Sequence, residues 1–165
     1  MNGTKTLKDQ LETKNQTTLL SHIEINVVDY AKSIQFYDRV LIPLGWRRMV
    51  CQKNHTVFSD GHMKLVLAPV EEKYLTPEYH RKRVGLNHLA FYAPSQTFVD
   101  QYVKDVLKPN NISCLYDNQS KGDETYYSVF FEDPNRIKIE VVYSPGYCSA
   151  DHWSNQLEND FDPYE

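Results

Sequence analysis

Cysteines are scarce in this sequence, and their spacing does not suit a structural role. The 165 residues include three, Cys51, Cys114 and Cys148, which lie far apart and form no CxxC pair. A disulfide framework or a zinc site built on thiolates needs cysteines in even numbers at short or regular spacing. Neither kind of site is therefore indicated.

Long hydrophobic runs and clusters of one charge are absent as well. No apolar stretch approaches the about 20 residues that a membrane-spanning helix needs, and the polar segment Met1 to Thr18 has no signal-peptide core. The formal net charge of −4 is spread along the chain without the basic stripe that nucleic-acid binding requires. We therefore expect a cytoplasmic protein with no membrane and no nucleic-acid partner.

The sequence does contain enough apolar and aromatic residues for a folded core. Hydrophobic residues make up 41% of the chain, and it has twelve Tyr, seven Phe and two Trp, whereas disordered chains are poor in aromatics. The length suits one ordinary domain or two small fused modules.

Two similar halves follow one another along the chain. Each begins with a short strand in which apolar residues alternate with polar ones, followed by a helix that Asp29 or Ser95 can cap. Pro43 and Gly45 end the first helix, and Pro109 ends the second. Three further strands are predicted in each half, around Trp46 to Val50, His55 to Phe58 and Met63 to Leu67 in the first, and around Ile112 to Leu115, Tyr126 to Phe131 and Arg136 to Tyr143 in the second.

The pattern predicts an α+β fold built from two βαβββ modules. We place the domain over residues 20–143, with modules of about 21–69 and 86–143 joined by a charged connector over 70–85. Residues 1–19 form a polar N-terminal extension, and residues 144–165 form a C-terminal tail. Trp153, Leu157 and Phe161 recur in the tail at one-turn spacing, which fits either a docking helix or a mobile segment.

Three residues with metal-binding side chains occupy the same phase of short alternating strands. His22 and His88 each open a strand, and Glu140 lies in the last one. All three fall on the polar face, so they converge if the strands share a sheet. Two imidazoles and one carboxylate form a facial triad that leaves coordination positions open for substrate, as catalytic sites do.

These residues lie within motifs that resemble a known superfamily. The motifs are Ser21-His22, Phe36-Tyr37, Pro43-Leu44-Gly45, Asn87-His88-Leu89-Ala90-Phe91, Tyr126-Tyr127-Ser128-Val129-Phe130-Phe131, Asp133-Pro134 and Glu140. Together they are similar to the vicinal oxygen chelate superfamily, which includes glyoxalase I, bleomycin resistance proteins, fosfomycin resistance enzymes and extradiol dioxygenases. The resemblance spans Leu20 to Tyr143 and implies paired modules that form a cupped mixed sheet around one divalent metal, often completed by dimerisation. It places the metal ligands on His22, His88 and Glu140.

The chain departs from the ligand pattern of glyoxalase I. That enzyme adds a carboxylate on the fourth strand, where alignment of the two halves by Lys64 and Lys138 places Val66. Ring-cleaving dioxygenases carry a histidine where this chain has Gly122-Asp123-Glu124. Tyr126 and Tyr127 are the obvious substitutes for the missing proton donor.

The remaining candidates follow from strand phase. Glu24 and Asn26 point to the same side as His22, and Tyr92 shares the phase of His88, so all three are candidate substrate contacts. Glu140 can serve as a ligand and, when displaced from the metal, as a base. The ligand types suit Fe, Mn, Ni or Zn and do not choose among them.

Two functions remain open. One is a metal-dependent enzyme that acts on a small oxygenated metabolite or xenobiotic by bidentate chelation, as a lyase, isomerase, thiol transferase or dioxygenase. The other is a non-catalytic protein that sequesters a ligand, as bleomycin resistance proteins do. A homodimer is compatible with both, and the sequence leaves open whether the metal site forms within one chain or across two.

Overall fold

Each half of the chain folds as one strand, one helix and three more strands. The structure is a computed structural model that describes residues 20–116 and 119–145. The predicted N-terminal extension and nearly all of the C-terminal tail, with Trp153, Leu157 and Phe161, lie outside the described residues. Among the helices of the described part, none is long and apolar enough to cross a membrane.

The first half matches the predicted order of elements. Asp29 caps the helix by accepting a hydrogen bond from the Lys32 amide at 3.0 Å, and Gly45 ends the helical segment at a φ of 87°. Its elements are β1 (His22–Val27), α1 (Tyr30–Leu41), a 3₁₀ turn (Ile42–Leu44), β2 (Arg47–Cys51), β3 (Thr56–Ser59) and β4 (Lys64–Pro69).

The second half matches except for one predicted strand. The strand expected over 112–115 is wrong, because only Cys114 forms an isolated bridge, to Phe131. Asn111 and Tyr116 on either side of it have φ values of 55° and 58°, which end an extended run. The elements are β5 (His88–Tyr92), α2 (Gln96–Tyr102), a π-helical turn (Val103–Leu107), β6 (Lys121–Gly122), β7 (Tyr127–Glu132) and β8 (Lys138–Tyr143).

The strands form two mixed four-stranded sheets with the same topology. The strand orders are β1-β4-β3-β2 and β5-β8-β7-β6. β1 pairs in parallel with β4, and β5 pairs in parallel with β8. The other pairings in both sheets are antiparallel. The predicted α+β fold of two βαβββ modules is therefore confirmed.

One apolar core serves both modules. The buried side chains of both sheets and both helices form a single cluster. Trp46 packs against Phe91 with ring centroids 5.5 Å apart, and Phe36 lies 6.3 Å from Phe131. Because strand side chains alternate between faces, each sheet turns its apolar face to this core and its histidine-bearing face away from it.

Polar contacts from the turn between β7 and β8 also join the modules. The Tyr37 hydroxyl donates to Asp133 Oδ2 at 3.2 Å, and the Asn135 amide nitrogen donates to Ser33 Oγ at 3.2 Å. Asn135 Oδ1 accepts from the Val28 amide at 2.8 Å. Burial raises the pKa of Asp133 although several hydrogen bonds oppose the change. Its contribution to stability is therefore greatest below the pKa of the unfolded chain and is lost as pH rises through the raised value.

We expect Tyr37→Phe to lower the free energy of unfolding by about 1–3 kcal/mol, because it removes a donor from a buried carboxylate. Urea denaturation at pH 7 measures the effect. Tyr74→Phe is the matched control, since Tyr74 is 64% exposed. Equal stability of the two variants would show that the Tyr37 hydroxyl does not contribute to the contact between the modules.

Candidate metal centre

The strand register places equivalent residues at equivalent positions of the two sheets. His22 pairs with Lys64 between β1 and β4, and His88 pairs with Lys138 between β5 and β8. Two residues further along the strands, Val66 of β4 occupies the position that Glu140 occupies in β8. This is the correspondence that the sequence alignment predicts.

His88 and Glu140 lie side by side on the outward face of the second sheet. His88 Nε2 is 3.1 Å from Glu140 Oε2, and the Glu140 side chain is 1% exposed. His88 Nδ1 lies 2.8 Å from Asn87 Oδ1. An amide oxygen only accepts, so Nδ1 carries a proton and Nε2 is the ring nitrogen that faces Glu140. A histidine held in this orientation presents Nε2 to a metal ion.

The carboxylate of Glu140 is only half satisfied. The Tyr126 hydroxyl donates to Oε1 at 2.6 Å, whereas buried Oε2 has no hydrogen-bond partner among the described residues. Two lone-pair atoms 3.1 Å apart repel each other unless they share a cation, either a proton or a metal ion. Two ligand atoms about 2.1 Å from one metal ion, at nearly right angles, lie about 3 Å apart. The pair therefore fits two adjacent ligands of one divalent ion.

An aromatic wall lies beside this pair. Phe130 makes edge contacts with His88 at 6.2 Å and with Tyr116 at 5.5 Å between ring centroids. Lys138 Nζ lies 5.0 Å from the centroid of the Phe130 ring. Sequence reasoning missed the wall, although Phe130 pairs directly with Glu140 between β7 and β8. The alternation of side chains along β7 was the feature of the sequence that could have identified Phe130.

His22 lies apart from the other two predicted ligands. It lines a separate cavity of about 440 Å³ together with Glu24, Lys64 and Val66. Within residues 20–116 and 119–145, no three His, Cys, Asp or Glu side chains come close enough to hold a metal ion. The reason is topological, because β1 belongs to a different sheet from β5 and β8.

The other predicted site residues are also divided between the two modules. Tyr126 contacts Glu140, whereas the Tyr127 hydroxyl donates to Asp100 at 2.8 Å and lies 3.0 Å from Ser120 Oγ, away from the pair. Tyr92 is 55% exposed and follows His88 on the same face of β5. Asn26 and Glu24 are exposed on the face of β1 that carries His22.

Comparison with known proteins agrees with this architecture. The sequence profile of the Glyoxalase/Bleomycin resistance protein/Dioxygenase superfamily matches residues 19–141. The chain belongs to this superfamily. The uncharacterized protein YqjT of Bacillus subtilis strain 168 is 38% identical over 125 residues, which cover 74% of this chain and 97% of YqjT.

Solved structures show the superfamily fold. A crystal structure from Bacillus halodurans, provisionally named a glyoxalase, is 40% identical with a TM-score of 0.70 and covers 76% of this chain and 95% of its own. Lactoylglutathione lyase of Agrobacterium tumefaciens is 20% identical with a TM-score of 0.57, covering 77% and 94%. The fosfomycin resistance protein FosX of Mesorhizobium loti is 18% identical with a TM-score of 0.58, covering 79% and 95%. At this identity the last two show likeness of fold alone.

We expect Tyr126→Phe to weaken divalent-metal binding by about 10–100-fold, because it frees the Glu140 carboxylate from the hydroxyl that orients it. Isothermal titration with Mn²⁺ measures the affinity. Tyr127→Phe, which alters a hydroxyl bound to Asp100 instead, should bind Mn²⁺ as the parent does. Equal losses in both variants would argue that the tyrosines act only through folding.

Proposed function

We propose that the protein is a divalent-metal-dependent enzyme that acts on a small oxygenated compound by chelating two of its adjacent oxygens. The observation that supports this most is buried Glu140 Oε2, which makes no hydrogen bond among the described residues and lies 3.1 Å from His88 Nε2, so that a cation between the two atoms, a proton on the imidazole or a divalent ion, is its only compensation. A buried carboxylate oxygen is costly to leave without a partner. A bound cation supplies that partner, and the donor set of one imidazole and one carboxylate suits Fe, Mn, Ni or Zn.

The third ligand in this proposal is His22 of a second copy of the chain. The histidine-bearing faces of the two sheets both turn away from the shared core, so they do not face each other within one chain. β1 and β5, which carry the two histidines, each form one edge of their sheet. No backbone pairing joins β1 to β5 within the described ranges. Pairing two copies brings His22 to His88 and Glu140 without opening the core.

The residues around the pair have separate tasks. Glu140 and His88 bind the metal, and the Tyr126 hydroxyl orients the carboxylate and can exchange a proton with it. The bound ion supplies Lewis-acid polarisation of the substrate oxygens and charge neutralisation. Phe130 and Tyr116 form an aromatic wall on one side of the pair. Tyr92 and, from the second copy, Asn26 line the edge of the site and contact substrate.

Mixing two inactive variants tests the assembly across two chains. His22→Ala and Glu140→Gln should each lose most Mn²⁺ binding when purified alone. After exchange of subunits, about half of the dimers contain one chain of each kind, and each mixed dimer has one intact site, so about a quarter of the sites recover. Electron paramagnetic resonance of bound Mn²⁺ counts them. A site formed within one chain would give no recovery.

A chelating probe separates the enzyme from a protein that sequesters its ligand by stacking. We expect a hydroxamate to bind the metal-loaded protein through two oxygens and to lose at least about tenfold affinity in Glu140→Gln. Titration of metal-free protein is the control. Hydroxamate binding that is indifferent to both the metal and Glu140 would favour the sequestering function.

A further inference from the structure

The two sheets differ at one position in a reciprocal manner. Beyond the matched histidine and lysine, the next pair on the outward face is Ala90 with Glu140 in the second sheet and Glu24 with Val66 in the first. Each pair therefore contains one carboxylate and one apolar residue. In the second sheet the carboxylate lies on the inner of the two parallel strands, and in the first sheet it lies on the outer strand. The first sheet therefore has no carboxylate at position 66 of β4 but has one at Glu24 on the neighbouring strand, β1.

The displacement is short compared with the reach of a glutamate. Neighbouring strands lie about 4.8 Å apart, and alternate residues of one strand lie about 6.7 Å apart. His88 and Glu140 are diagonal neighbours about 7–8 Å apart at the backbone, yet their side-chain atoms approach to 3.1 Å. Glu24 follows His22 by two residues on one strand. Its side chain starts no farther from His22 than that of Glu140 starts from His88, so both Glu24 and His22 lie within reach of one ion on this face.

The surroundings leave the Glu24 carboxylate available. Glu24 is exposed and lines the same cavity of about 440 Å³ as His22. No ion pair involving Glu24 occurs in the described part of the chain. Lys64 and His55 share the cavity and are competing partners, so the experiment must distinguish a metal ligand from a carboxylate that only pairs with these side chains.

We propose that Glu24 is a fourth protein ligand of the divalent metal, delivered together with His22 by the same subunit. This rests on the proposed function, because His88 and Glu140 must first hold the ion. Two imidazoles and two carboxylates neutralise a divalent charge and leave two of six positions open. Such a site accepts one pair of adjacent oxygens and favours a neutral or singly charged chelator over a doubly charged phosphonate.

Moving the carboxylate back across the strands tests the proposal. Glu24→Ala removes the ligand, and Glu24→Ala with Val66→Glu gives the first sheet the same arrangement as Ala90 and Glu140. Glu72→Ala, at an exposed position in the connector, is the control for loss of one negative charge. The readouts are Mn²⁺ affinity and the visible absorption of bound Co²⁺, which reports a change of coordination. Unfolding of each metal-free variant confirms that folding is unaffected.

The expected result is at least a tenfold loss of Mn²⁺ affinity and an altered Co²⁺ spectrum in Glu24→Ala, with both restored toward the parent in the double variant and unchanged in Glu72→Ala. An unchanged Co²⁺ spectrum in Glu24→Ala overturns the assignment, because a weaker affinity alone then reflects charge. Failure of the double variant to regain affinity also overturns it. In both cases the proposed function stands as long as His88→Ala loses the metal. Equal metal binding by His88→Ala and the parent would instead refute the proposed function itself.

Discussion

The alternation of side chains along eight short strands is the constraint on which the rest of the structure depends. Each strand has two faces, and one face of each sheet is committed to a core that both modules share. The strand residues His22, Glu24, His88 and Glu140 are thereby placed on the opposite face. The same packing that stabilises the chain therefore separates His22 from His88 and Glu140.

Burial has different consequences for the two carboxylates that the core partly covers. Asp133 accepts hydrogen bonds from Tyr37, Asn135 and the amide of Ile137, which partly offset the cost of burying its charge. Glu140 accepts one hydrogen bond, from Tyr126, and its second oxygen lies 3.1 Å from His88 Nε2 without a hydrogen bond among the described residues. The first carboxylate joins the modules, whereas the second keeps a buried oxygen that a cation would compensate. Hydrogen bonding, rather than burial alone, therefore distinguishes the carboxylate that joins the modules from the one in the candidate site.

Features that depend on local pattern were predictable from the sequence. The cap at Asp29, the turn at Gly45 and the strand phases of His88 and Glu140 each follow from a few adjacent residues, and the structure confirms them. The sequence could not exclude the strand expected over 112–115, because the positive φ that ends the extended run falls on Tyr116 and not on a glycine, the residue that usually adopts it. The contact between Tyr116 and Phe130 depends on that same chain reversal. The separation of His22 from His88 and Glu140 depends on how the two modules pack together. The periodicity within each strand carries no information about that packing.

The shared core has a consequence for how activity would depend on protein concentration. A single chain forms this core without residues from a second copy. Under the proposed arrangement it cannot complete a metal centre by itself. Folding would then be a first-order process, whereas acquiring function would be second order in chain concentration. Dilution would separate the two copies and abolish activity without unfolding the chains. Activity would therefore rise more steeply than protein concentration wherever that concentration is low.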